Sequence, residues 1–172
     1  MRQQFWLEQL RDHASCKLKQ SDLIGNTDAF VDELRNSSTL KSLRCDYDRY
    51  DKDFANETFS PAIAAALKVN SSLTSLNLAM NSVNDEGAIA ISDALKVNSS
   101  LTSLDLGANS IENKGAIAIA DALKVNSYLT FLYLSENFIK QEGAIAIADA
   151  LRVNSSLTSL NLSNSSIENE GA

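Results

Sequence analysis

Apolar positions recur along this chain in two alternating rhythms. Leu76 and Leu78 alternate with Ser75 and Asn77, which predicts a short strand with leucines on one face and polar residues on the other. From Gly87 to Val97 the rhythm changes. Ala88, Ile91, Ala94 and Leu95 fall on one side at about 100° per residue, which predicts an amphipathic helix. Asp85 and Glu86 stand before this helix and Lys96 at its end, an arrangement that suits the helix dipole. Asn98 is expected to close the helix, because asparagine tolerates a left-handed backbone better than most residues.

This strand–helix unit is copied. Leu73, Leu101, Leu129 and Leu157 lie 28 residues apart, and each opens the frame Leu-Thr-x-Leu-x-Leu. Asn81, Asn109 and Asn137 follow at a fixed offset, then Val83, Ile111, Ile139 and Ile167, then Gly87, Gly115, Gly143 and Gly171. Such a period predicts a solenoid, in which each unit buries its apolar face against the next. Upstream the frame loosens. Leu40, Leu43 and Cys45 fit the strand positions, and Ile63 and Leu67 fit the helix positions. Leu40 to Leu73 is 33 residues, however, so an insert sits in that repeat. Phe30 and Leu34 match Ile119 and Leu123, with Asn26-Thr27-Asp28 as the helix start. Gln3 to Arg11 predicts one further amphipathic helix, with Trp6 and Leu10 on one side. We divide the chain accordingly. Residues 1–39 are an N-terminal helical cap and degenerate first repeat; 40–72 are an irregular repeat with an acidic insert; 73–172 are regular repeats, the last one truncated.

The pattern Leu-x-x-Leu-x-Leu-x-x-Asn, followed by Gly-x-x-x-Ile-x-x-x-Leu-x-x-Asn, resembles the leucine-rich repeat. Its period and helix are similar to the ribonuclease-inhibitor-like subfamily, also found in NLR-type receptors and the Ran GTPase activator. The likeness is close from Leu67 to Ala172 and reaches back to about Thr27. It implies an α/β solenoid, a right-handed βα superhelix with parallel strands on the concave face and helices on the convex face. It also implies that Asn81, Asn109 and Asn137 form a ladder of bonds to the turn backbone, a structural role. In the fourth copy Ser165 stands at the ladder position, with Asn164 one place early. The sequence stops at Gly171-Ala172, where the repeat requires a helix, and no polar capping unit follows. A solenoid end without a cap exposes an apolar face. The expectation is a fragment of a longer array; the alternative is an end covered by a partner.

Charge and composition narrow the functions. With 15 Lys+Arg against 22 Asp+Glu the net charge is -7, so phosphate-rich partners would be repelled: neither nucleic acid nor an anionic membrane is expected. No stretch approaches transmembrane length. The charged start, Met1 to Glu8, is unlike a signal peptide, and a cytoplasmic location is expected. Asn-x-Ser/Thr sequons at Asn36, Asn56, Asn70, Asn98, Asn154 and Asn164 are then by-products of a repeated Asn-Ser-Ser. His13 has no second histidine, and Cys16 and Cys45 form no C-x-x-C pair, which leaves no zinc site. One disulfide stays open; reduced thiols are the simpler reading. Asp46, Asp48 and Glu57 fall where a calcium loop places ligands, but Tyr50 and Asp51 break it, Asp51 where a glycine turn is needed. With no Ser/His/Asp set and no phosphate-binding glycine loop, we expect no enzyme and no cofactor.

The concave face is where binding is expected. Its outward positions are Ser42, Arg44 and Asp46, then Ser75, Asn77 and Ala79, then Ser103, Asp105 and Gly107, with Ser159, Asn161 and Ser163 last. Between these, Phe131 and Tyr133 replace Ser and Asn/Asp, Tyr128 replaces a nearby Ser, and Glu136 adds a charge. Hot spots favour aromatics, although drift in a duplicated repeat gives the same signature. The expected partner surface comprises Phe131, Tyr133, Tyr128, Glu136, Asp105, Asn161, Asn77 and Arg44. Ile89, Ile117 and Ile145 lie off the inward helix face, where lateral packing accounts for them. The leading expectation is a protein-interaction module that binds an unidentified protein. The alternatives are a GTPase-activating or NLR-like regulatory fragment, with Arg44 as the concave arginine, and self-association through the C-terminal repeat.

Overall fold

The computed structural model describes residues 15–19, 27–46 and 58–165. Strands and helices alternate along it: β1 (Ser15–Lys19), α1 (Thr27–Asn36), β2 (Ser42–Asp46), α2 (Ser60–Leu67), β3 (Ser75–Asn77), α3 (Asp85–Leu95), β4 (Ser103–Asp105), α4 (Asn113–Leu123), β5 (Phe131–Tyr133), α5 (Gln141–Leu151) and β6 (Ser159–Asn161). The six strands make one sheet in chain order. All neighbours are parallel, and from β3 onward each residue pairs with its copy in the next repeat, Leu76 with Leu104 and Leu104 with Leu132. Strand β1, which the hydrophobic pattern did not announce, pairs with the whole of β2.

The period-2 pattern works as expected. Leu43, Leu76, Leu104 and Leu132 are buried, while Ser75, Asn77, Ser103 and Asp105 on either side are half-exposed. The helices close the other side of the core with Ile63, Ile91, Ile119 and Ile147, and Phe30 and Leu34 of α1 are fully buried with them. Helix α3 starts two residues before Gly87 and ends at Leu95, because Asn84 is its N-cap and accepts a bond from the Gly87 N–H at 3.0 Å. Later helices are capped from the preceding repeat. Asp85 Oδ1 accepts from the N–H groups of Glu112 and Gly115, both at 2.8 Å, at the start of α4. Asn113 does the same for Lys140 and Gly143 at the start of α5. Gly115 is small because helices meet there: a Cβ would stand 2.8 Å from Ile111 Cγ2 and 2.9 Å from Ala88 Cβ.

Two asparagine ladders join the repeats. In the first, Asn109 Oδ1 accepts from the N–H groups of Asn81 and Val83, while its amide donates to the carbonyls of Leu78, Leu106 and Gly107. Asn81 and Asn137 hold the adjacent turns in the same way, as the resemblance implied. Ser165 keeps one such bond, to the Leu134 carbonyl at 3.1 Å. Asn164 is one place early for a reason. It shares a positive φ with Met80, Ala108 and Glu136 of the earlier turns, and asparagine tolerates that conformation well.

The second ladder corrects the expected role of Asn98. It has no left-handed backbone. Its amide donates to Leu67 O and Asn70 O of the previous repeat, and its Oδ1 accepts from the Ser100 and Leu101 N–H groups. Asn70, Asn126 and Asn154 repeat this arrangement. Thus the Asn-Ser-Ser sequons at Asn70, Asn98 and Asn154 are parts of a backbone brace.

Candidate functional site

On the open face of the sheet, the register builds two rows across the repeats. One is Ser42, Ser75, Ser103, Phe131 and Ser159; the other is Arg44, Asn77, Asp105, Tyr133 and Asn161. Of the expected site residues, Phe131, Tyr133, Asp105, Asn161, Asn77 and Arg44 therefore share one face, while Tyr128 and Glu136 lie in the loops before and after β5; those on the face differ in what they do there. Asn77, Asp105 and Asn161 each accept a bond from the backbone N–H two residues on, at Ala79, Gly107 and Ser163. Asp105 also accepts from the Asn77 amide at 3.0 Å. These polar side chains shape the strand ends. Tyr133 cannot make that turn bond, so β5 relinquishes it.

Arg44 lies three strands from β5, and its Nε sits 2.9 Å from Asp46 Oδ1. At about 4.8 Å per strand, it stands roughly 14 Å from the aromatic pair. It does not join them. The expected calcium ligands Asp48 and Glu57 lie outside the described residues, as do Trp6 and His13.

The aromatic cluster is larger than the sequence reading held. Phe131 is 43% exposed and Tyr128 49%; Tyr133 is half-buried and Glu136 exposed. Phe138, 52% exposed, belongs with them. Its equivalents Ser82 and Ser110 are serines. A signal was present: every aromatic residue after Phe59 falls between Tyr128 and Phe138. Phe138 was missed because it lies beyond the strand, where alternation no longer assigns a direction. Tyr128, Phe131, Tyr133 and Phe138 all belong to one repeat, from the loop before β5 to the loop after it.

Beside Phe138 is a notch of about 370 Å³, lined by Met80, Ser82, Ala108, Ser110, Glu136 and Phe138, with Asn109 beneath. Met80, Ala108 and Glu136 are the same position in three successive repeats. The middle one has the smallest side chain, which is why a hollow opens there.

The helix side also carries apolar groups. Val69, Val97, Val125 and Val153 form an exposed row just past the helix ends. Ile89 and Ile145 are exposed too, and only Ile117 of that set is half-buried, so lateral packing covers them less than expected. Leu151 is 38% exposed, whereas its equivalents Leu67, Leu95 and Leu123 are buried. No described helix is long and apolar enough to cross a membrane.

A leucine-rich-repeat family model matches residues 69–92, 97–120, 125–148 and 153–172, more than half of the sequence. The chain belongs to the leucine-rich repeat family. Its fold is the α/β solenoid of that family, with strands on the concave face and helices on the convex face. Among solved structures it is similar to one entitled Leiomodin-1 Actin-Binding Site 2, at 26% identity and a TM-score of 0.68, covering 80% of this chain and 79% of that one. It is also similar to the tropomodulin C-terminal domain of Caenorhabditis elegans, at 14% identity and a TM-score of 0.66, covering 88% and 92%. The latter likeness is one of fold alone. No curated protein matches at the level of sequence.

Proposed function

We propose that this leucine-rich repeat chain is a non-enzymatic, cytoplasmic module that binds a partner protein through its concave face, at Phe131 and Tyr133 with Tyr128 and Glu136 beside them. The observation that carries the reading is the exposure of Phe131 in a row that is otherwise serine. Burying a phenylalanine side chain fully is worth about 1.5–3 kcal/mol, and with Phe131 still 43% exposed the fold leaves a good part of that gain for a partner. The mechanism is rigid display. Strands braced by two asparagine ladders hold the side chains in place before the partner arrives, so little ordering falls on this side of the interface. The test is affinity capture from extracts with the wild type, the Phe131→Ser/Tyr133→Asn double variant and a convex Ile145→Ser control. Proteins retained by the wild type and the control, but lost with the double variant, support the proposal. Equal retention by all three refutes it.

A second, more specific reading names actin as the partner. It is supported by the 26% identity to the leiomodin actin-binding site over most of both chains. Co-sedimentation with actin filaments, and fluorescence anisotropy with labelled monomeric actin, test it. Absence of binding in both assays removes actin and leaves the general reading intact.

A further inference from the structure

We propose that the aromatics of the β5 repeat and the notch beside Phe138 act together as one docking surface. It takes an extended segment of a partner chain, laid along the strand direction and across the solenoid axis, with a lysine or arginine of that segment seated in the notch. This rests on the concave-face reading and names the partner's chemistry.

The direction follows from where the aromatics lie. All four belong to one repeat, spread over residues 128 to 138. A segment running along the solenoid would meet that repeat for only about 5 Å, the spacing between neighbouring strands, and serines on either side. A segment running with β5 passes Tyr128, Phe131 and Tyr133 and then reaches the turn that carries Phe138. The smaller Ser103 and Ser159 beside Phe131 leave the ring raised between them, open to a segment laid along it.

The chemistry of the occupant follows from the walls of the notch. Met80, 66% exposed, stands on one side and Phe138 on the other, with Ala108 and Ser110 as the floor. The outer two repeats are about 10 Å apart at the strand spacing, which leaves room for one unbranched aliphatic stem between the two side chains. A thioether and an aromatic ring suit such a stem. The head of the stem meets Glu136, whose carboxylate has no cation partner among the described residues. A purely apolar occupant would desolvate that carboxylate without compensation, and an acidic one would face it directly. A basic occupant does neither. A cationic head beside the exposed Phe138 ring gains a cation–π attraction as well, and the net charge of -7 favours its approach.

The probe is a phage-displayed library of random twelve-residue peptides, selected on the full chain and followed by a synthetic peptide of the enriched sequence. The expected sequence carries a lysine or arginine within a few residues of two or more aromatic or aliphatic residues. Its affinity should fall at least fivefold with Glu136→Gln and with Phe138→Ser, at least tenfold with Phe131→Ser/Tyr133→Asn, and not at all with Ile145→Ser. At positions 131, 133 and 138 the replacements copy residues that flanking repeats already hold, and thermal melts of every variant, Ile145→Ser included, verify the fold. Failure to enrich any peptide, enrichment without a basic residue, or indifference to Glu136→Gln and Phe138→Ser overturns the proposal. If the double variant alone weakens binding, the concave-face reading stands and this inference falls. If none of the concave variants matters, both fall.

Discussion

Strands β4 and β5 are neighbours with the same backbone and opposite surfaces. Each has a central buried leucine, Leu104 and Leu132, and each is followed by a ladder asparagine, Asn109 and Asn137. Outward, β4 presents Ser103 and Asp105, and β5 presents Phe131 and Tyr133. The ladder side chains Asn109 and Asn137 are buried, and they constrain these two repeats alike. The outward positions are free of that constraint, and there the two repeats diverge. On the proposed reading, specificity lies in departures from the repeat and stability in adherence to it.

Replacing Asn109 by alanine tests adherence most severely. It removes the acceptor that serves the Asn81 and Val83 N–H groups and the side-chain donor to the Leu78 carbonyl. Unsatisfied buried groups at about 1–3 kcal/mol each predict a loss on the order of 3 kcal/mol or more, measured by chemical denaturation. Asn137→Ala should be similar in kind. A large loss in one repeat and none in the other would break the idea of a shared frame.

Gly115→Ala comes next. Alanine is the better helix former by about 1 kcal/mol, but its Cβ would collide with Ile111 and Ala88. Overpacking of this sort is worth about 1–3 kcal/mol, so a net destabilisation is expected in a thermal melt. A stabilised variant would mean that the helices can separate without penalty.

How much of this was legible in the sequence depended on the reach of each interaction. The core was legible, because Leu76, Leu104 and Ile91 repeat with the period that burial demands. The start of α3 lies two residues earlier than the apolar pattern implies, since the cap is Asn84 and Asp85 and Glu86 already form the first turn. Asn98 was misread because a C-cap rule looks within one helix, and the bonds of Asn98 reach the previous one. The aromatic pair was legible as a break in the pattern. Phe138 and the notch were not, because a loop side chain has no period to give its direction.

Smaller effects refine the comparison within the helix layer. Ser92 of α3 is buried and its hydroxyl has no partner among the described residues, where α4 holds Ala120. Ser92→Ala should raise stability by up to about 1 kcal/mol in denaturation, and a loss would expose a missing bond. The slightest effect belongs to Asp93. A hydrogen bond from Lys96, at 2.8 Å, and the lysine's charge hold its carboxyl below the usual 3.8. A depressed folded pKa contributes stability above the unfolded value. That contribution fades as pH falls below about 3.8 and is gone once pH passes the lowered folded value. Lys96→Gln should move the Asp93 titration back up towards 3.8 in an NMR pH series; an unmoved midpoint would contradict the assignment.

The central claim is that β5 carries recognition on a frame that does not need it. The direct measurement pairs partner capture with thermal melting for the Phe131→Ser/Tyr133→Asn variant. The account predicts a stability within about 0.5 kcal/mol of the wild type, as for surface changes generally, together with a loss of the retained partner. Full retention of that partner by a variant that is equally well folded would contradict it.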